Sequence, residues 1–430
     1  MTYTSHFLRR WRLPVCASLL LGSALAPVSA QAAPVDHIAE LKAAVEALRA
    51  EQTRAQARIA ELEGALARQR ETPVAVAAAP APAPGAIVTT AAPVSSAPSR
   101  LSLSGDMRVR YESNFGIAGA RDRDRGVLRA RLRAAYAVND WLTVGGQLAT
   151  GDPDDPNSTD ITLSNFDDDL QVSLDQAYIR LTPGNLQVHL GKIPQPFVRT
   201  ELVWDGDVSP QGASAAYSTD FGGVKVKASG LYFMVDESVA GPDSRMIGGQ
   251  LSVQTPSAPI QAELAVGYYD YSLRSVAGGD AGDFRSNLFA GGRYLSDFNL
   301  LDVIAAITWN GLGEKWPVRI VGDYVHNYGA ATDADTGFGV DLLVGRASKP
   351  GDWRFTYGYA EAETDAVLAA FSQDNTNIGT NYMQHTLAID FVPKHNLVLN
   401  ATYYHYRQKD GVIGPVDWQN RLRLNFLVNF

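Results

Sequence analysis

The sequence predicts an all-β transmembrane barrel of sixteen antiparallel strands, preceded by a short periplasmic coiled-coil helix. Three observations predict it. Period-two stretches of about ten residues recur from Arg100 onward, near the length a tilted strand needs to cross a bilayer. Their apolar faces carry Tyr and Trp near strand ends, as interfacial girdles do. The connections alternate short and long, as they do when tight turns lie on the periplasmic side and loops outside.

The segments before the barrel read in order. Arg9, Arg10 and Arg12 precede the apolar "LPVCASLLLGSALA", and small residues follow, so 1–30 is a secretory signal with cleavage expected after Ala30 and Ala32 as the alternative. Cys16, the only cysteine, lies inside it; its short apolar lead and the bulky Val15 do not suit a lipoprotein site. The mature chain therefore has no disulfide and no thiolate metal site. Cleavage removes three arginines and no acid, taking the formal charge from −9 to −12. Such an acidic chain disfavours nucleic acid as a partner. No later run of about 18 apolar residues forms a spanning helix.

Residues 36–70 are heptad-spaced. Ile38, Val45, Gln52, Ile59 and Leu66 occupy one seam position, and Leu41, Leu48, Ala55, Leu62 and Gln69 the other. A lone helix would leave that seam wet, so self-association is expected. Residues 71–99, rich in Ala and Pro, form an extended spacer.

From 100 to 430 the alternation is plain. In "LSLSGDMRVRY", Leu101, Leu103, Met107, Val109 and Tyr111 share one face, and Ser102, Ser104, Asp106, Arg108 and Arg110 the other. A soluble sandwich also alternates, but it turns its polar face outward, whereas a membrane barrel turns oil outward and lines a wet lumen. The strands are expected at 101–111, 127–138, 141–150, 172–182, 185–193, 213–219, 223–234, 245–254, 259–270, 300–309, 317–327, 336–347, 351–362, 381–392, 396–407 and 419–430. Eighteen strands is the alternative count. "NLFAGGRY", within 271–299, looks strand-like, but one extra crossing would invert everything downstream, so it is assigned to an outer loop.

Sixteen strands enclose an aqueous channel. Closing the barrel sets the last strand beside the first, so Arg108, Arg110, Arg129, Arg131, Arg133, Arg421 and Arg423 form one pore-lining basic wall. The outer loop 193–214 carries Arg199, Glu201, Asp205 and Asp207 among the apolar anchors Phe197, Val203 and Trp204, and is expected to fold inward as the constriction. Arginines facing acids across a narrow gap would sort polar solutes. The other reading is that they pair locally with Asp106 or Glu112 and only keep the lumen wet. The acidic loops "GDPDDPNSTD" and "NFDDD" do not fit the helix–loop–helix calcium pattern and read as solvated surface. No histidine sits in a metal-spaced pair and no nucleophile elbow occurs, so neither a cofactor nor a catalytic site is expected.

The chain resembles the Putative porin family of Gram-negative outer-membrane barrels across roughly 100–430. The resemblance rests on "SLDQAYIRLTP…LQVHLGKIPQPF", "VRIVGDYVHNYGAATDADTGFGVDLLVG", "GDWRFTYGYAEAETDAVLAAFSQDNTN" and the last strand, ending in Phe430. It implies passive diffusion of small hydrophilic solutes through a homotrimer set in outer-membrane lipid and lipopolysaccharide. Phe426 and Phe430 are the expected signal to the barrel-insertion machinery. Two alternatives remain: a substrate-specific channel for anions or sugars, and a tethering or binding protein whose barrel is plugged.

Overall fold

The computed structural model describes residues 100–430, apart from 118, 165, 167–168, 240, 257–258, 275–284 and 412–415. The expected signal peptide, coiled coil and linker lie outside the described residues. So does most of "NFDDD".

Sixteen long strands form the wall. They are β1 (Leu101–Phe115), β2 (Arg123–Ala137), β3 (Leu142–Thr150), β4 (Val172–Leu181), β5 (Leu186–Lys192), β6 (Gln211–Phe221), β7 (Val224–Asp236) and β8 (Ser244–Gln254) in the first half. The second half holds β9 (Ile260–Ser272), β10 (Asn299–Trp309), β11 (Val318–Asn327), β12 (Thr336–Gly345), β13 (Trp353–Ala362), β14 (Tyr382–Lys394), β15 (Leu397–Gln408) and β16 (Gln419–Asn429). All sixteen expected crossings are present, with ends displaced by at most four residues. "NLFAGGRY" does not cross: Phe289–Ala290 and Arg293–Tyr294 pair with each other as a small separate hairpin. A three-residue strand, Ile161–Leu163, extends the sheet beside β2 from within an outer loop.

Each strand is antiparallel to the next, and β1 pairs with both β2 and β16, which closes the barrel. The seam runs to the last residue. Gly105 donates its N–H to the carbonyl of Phe430 at 2.8 Å, and Phe430 returns the bond at 3.0 Å. A Cβ at Gly105 would stand 2.5 Å from the Phe430 ring, so only glycine lets that ring lie flat on β1. A two-residue inner turn, between Phe221 and Val224, uses Gly222 and Gly223 with φ of 62° and 88°, the sign that a two-residue hairpin matched to strand twist requires.

The outer surface is oily. Leu103, Met107, Val109, Leu251, Leu264, Ile320, Leu387 and Phe426 are all exposed along its girth. So large a continuous apolar band on a soluble protein would drive aggregation, whereas lipid covers it without cost. Trp141, Trp309, Trp316 and Trp353 ring the inner-turn end, and Tyr111, Tyr232, Tyr268 and Tyr324 the opposite end. These amphipathic rings sit where the headgroups begin.

The interior is not empty. Loop 193–210 and loop 363–381 pack inside the outer half of the barrel, where Trp204 stacks on Phe371 at 6.0 Å and 14°. Phe197, Phe233, Tyr269 and Tyr271 complete an apolar knot around that pair.

Candidate pore and constriction

The seven predicted arginines all lie on the inward faces of β16, β1 and β2, because inward residues alternate in register across the three strands. They do not form a bare basic wall. Asp106, on the same face of β1, meets Arg129 and Arg131 at 2.9 Å each and Arg133 at 3.3 Å. Glu112, fully buried, meets Arg125 at 2.6 Å, Arg423 at 2.8 Å, and Arg110 and Arg421 at 3.7 Å. Asp160, from an outer loop, pairs with Arg108 and, at 2.8 Å, with Arg110. Of the two sequence readings, the geometry of this patch matches local pairing, with acids threaded between like charges that would otherwise repel. Eight arginines, counting Arg125, meet four acids, counting Asp207 below, so the ladder keeps a cationic surplus.

Loop 193–210 packs inside the barrel and is fastened on several sides. Lys227 of β7 donates to the Pro196 carbonyl at 2.7 Å. Gln250 of β8 accepts from the Val198 amide at 2.8 Å and donates to its carbonyl at 2.7 Å. Thr200 bonds to Asp323 of β11, and Asp207 pairs with Arg131 of β2 at 2.6 Å. A loop held by β2, β7, β8 and β11 must cross the barrel rather than hang outside it.

The four predicted constriction residues therefore play unequal parts. Asp207 is joined to the arginine ladder, so no gap separates acid from base at that point, which corrects the expected face-to-face arrangement. Asp205 is buried, and burial, then the neighbouring Glu201 and Asp374 carboxylates, push it up to about 10, so it is uncharged at neutral pH. Arg199 and Glu201, 3.4 Å apart, face the remaining open space.

Two features escaped the sequence reading. The first is loop 363–381, which caps the ladder: Asn375 accepts from Arg421 at 2.8 Å through its carbonyl and from Arg423 at 3.1 Å through its side chain. The apolar run "AVLAAF" in an outer loop was its available signal, since a solvated loop has no use for it. The second is a diagonal of inward carboxylates, Asp302, Asp323 and Asp341, stepping across β10, β11 and β12. No local pattern marks it, because each strand contributes one acid. The acidic loop also differs from plain solvated surface: Asp155 pairs with Arg285 at 2.6 Å, and Asp160 joins the ladder.

Beneath the constriction lies a cavity of about 1080 Å³. Glu201, Asp323 and Asp341 line it together with Lys225, Lys227 and the bidentate Arg319–Glu263 pair, whose bonds are 2.7 and 2.9 Å. The barrel thus holds an aqueous chamber with mixed charge under an apolar, loop-built neck.

Residues 116–281 match the family model described as Putative porin. This matched stretch is similar to that family. It takes in β2 to β9 and loop 193–210, and is narrower than the resemblance read from 100 to 430. Among solved structures, Pseudomonas putida OprB superposes with a TM-score of 0.53 at 12% identity, covering 77% of this chain and 94% of that one. An anion-selective porin from Comamonas acidovorans gives 0.48 at 14% identity, over 77% and 99%. A Rhodopseudomonas blastica porin triple mutant gives 0.44 at 12%, over 77% and 100%. The OprB superposition establishes a porin-type barrel fold. No curated protein matches the sequence.

Proposed function

We propose that the protein is an outer-membrane porin, a channel and not an enzyme, through which small hydrophilic solutes and ions diffuse. One observation carries the reading: a closed barrel with an oily exterior encloses a charged, water-accessible chamber below an internal loop. A plain structural barrel would gain nothing by keeping that much polar volume, since unpaired polar groups are costly away from water. Purified protein added to planar bilayers gives stepwise conductance; silent membranes at high protein overturn the reading.

The reading extends to assembly. The coiled coil expected over 36–70 from its heptad spacing is proposed to join three barrels, so closures come in groups of three. The exposed Phe426 and Phe430 are the handle for the insertion machinery, and the outer rim contacts lipopolysaccharide. Residues 108–133 and 421–423 supply a basic wall whose surplus favours anions, while the β10–β12 carboxylates favour cations. Neutralising Arg129, Arg131 and Arg133 moves the reversal potential in a salt gradient toward cations. No movement assigns them a purely structural part.

A second reading is favoured by the stacked Trp204 and Phe371, at the centre of an apolar knot inside the outer half of the lumen. In it the barrel is plugged and the protein tethers or binds. The same bilayer recording separates the two, because a plugged barrel carries no steps.

A further inference from the structure

On the wall below loop 193–210, two cations and an imidazole meet with no acid between them. Arg180 of β4 stands directly opposite His189 of β5, and both are half-buried on the inward face. Lys227 of β7 also points inward, since its Nζ reaches the Pro196 carbonyl at 2.7 Å. The fields of Arg180 and Lys227 both act on His189, and no carboxylate's does. Between His189 and Lys227 runs β6, whose inward residues along that stretch are Ser214, Ala216 and Ser218, so it puts nothing bulky between them.

The donors of this cluster are under-used among the described residues. Arg180 makes one bond, from Nη2 to the Thr143 hydroxyl at 3.3 Å, and its Nε is buried without an acceptor. Lys227 uses one of its three N–H groups, and His189 has only a ring contact with Tyr178 at 5.4 Å. The acids on these strands are engaged elsewhere. Asp175 lies by Lys192 and accepts from Gln147 and Ser209. Asp220 accepts from the Gly223 amide at 2.7 Å in the inner turn, and Asp236 stands at the opposite end of β7 from Lys227. Like charges held together without an acid repel, and a guanidinium N–H without an acceptor is unmet, so the group missing here is a negatively charged acceptor.

We propose that Arg180, His189 and Lys227 form a subsite for a small oxyanion, the carboxylate or phosphate group of a solute crossing the chamber. The guanidinium offers a fork of donors, the ammonium its free N–H groups, and the imidazole a ring N–H in either charge state. An oxyanion presents separate oxygens to these donors, which a chloride ion does not. Lys227 lines the chamber, so a solute held there meets the subsite. The arginine ladder on β16, β1 and β2 is a different wall, with its own acids. The subsite deepens the porin reading and rests on it, because a solute reaches the chamber only through the lumen.

The test uses the full-length protein in planar bilayers in KCl at pH 7, with potassium phosphate or potassium acetate titrated from the inner-turn side at constant ionic strength. The expected result is a saturable fall in current, steeper than the linear fall that replaced chloride alone gives. Tighter block by phosphate marks a phosphate solute, and tighter block by acetate a carboxylate one. Block weakens about tenfold or more in Arg180→Gln and in Lys227→Met, the change expected when one charged hydrogen bond is lost. Lys225→Gln removes a charge from the same chamber outside the subsite, and changes block less than about twofold. Heat-modifiable migration on gels reports whether each barrel has folded, and the wild-type titration decides by itself where a variant has not. A conducting wild type without saturable block overturns the proposal. So does equal weakening in all three variants, which assigns the effect to the diffuse potential of the chamber. A wild type that conducts nothing counts against the porin reading instead, and calorimetry of phosphate and acetate on the detergent-solubilised barrel then decides the subsite separately.

Discussion

Glu112 is the residue on which the ladder turns. Four guanidinium groups approach one fully buried carboxylate, so removing its charge leaves like charges crowded, with only Arg110 of the four still in an ion pair, to Asp160. Breaking a buried ion pair from one side costs about 3–5 kcal/mol. Glu112→Gln is therefore expected to lower the temperature at which the barrel loses its compact gel mobility, and to shift the reversal potential toward anions. Asp205 is the opposite case, an acid kept neutral. Its folded pKa, raised to about 10 by burial and then by Glu201 and Asp374, lies above the unfolded value of 3.8. The fold thus binds this proton more tightly than the unfolded chain, and its contribution to stability is greatest below pH 3.8 and declines as pH rises toward about 10. Channels should become more cation-selective as Asp205 ionises near that pH, and Asp205→Asn should abolish this alkaline change in reversal potential.

Elements matter through what they fasten. Loop 193–210 is tied at Pro196, Val198, Thr200 and Asp207 to four different strands, and its centre is pinned by Trp204 against Phe371. Trp204→Ala removes the largest side chain of the knot, at a cost of about 3–5 kcal/mol. The loop then has fewer apolar contacts holding it across the lumen, so single-channel conductance is expected to rise and open-channel noise with it. Unchanged conductance would mean that the polar ties alone hold the neck. The loop's entry into the lumen was legible because it mixes apolar anchors with charge. Loop 363–381 was not recognised as its partner, because Asn375 and Phe371 acquire a role only once β13 and β14 bring them over the ladder and the knot.

At the scale of the whole molecule, closure gives the last strand its significance. Phe430 hydrogen-bonds back to Gly105 and lies on the outer surface, so it both completes the seam and stays visible to whatever inserts the barrel. Phe430→Ala is expected to reduce the yield of folded, heat-modifiable barrel in membranes while leaving the conductance of inserted channels intact; loss of conductance instead would place the ring's role in the pore.

The sequence by itself determined the strands, their order and which face of each meets lipid, and left their number between sixteen and eighteen. Those properties rest on a period of two and on turn chemistry, both written within a dozen residues. It also brought the seven arginines to one inner wall, because neighbouring strands share register. Only the tertiary structure decided what those arginines touch. Glu112 becomes a hub, Asp160 and Asp207 become counter-charges, and Asp302, Asp323 and Asp341 become one diagonal only when distant strands and loops converge. The physical reason is that alternation assigns a side chain to a face, whereas electrostatics depends on distance, and distance inside a barrel is fixed by closure and by the loops that fold into it.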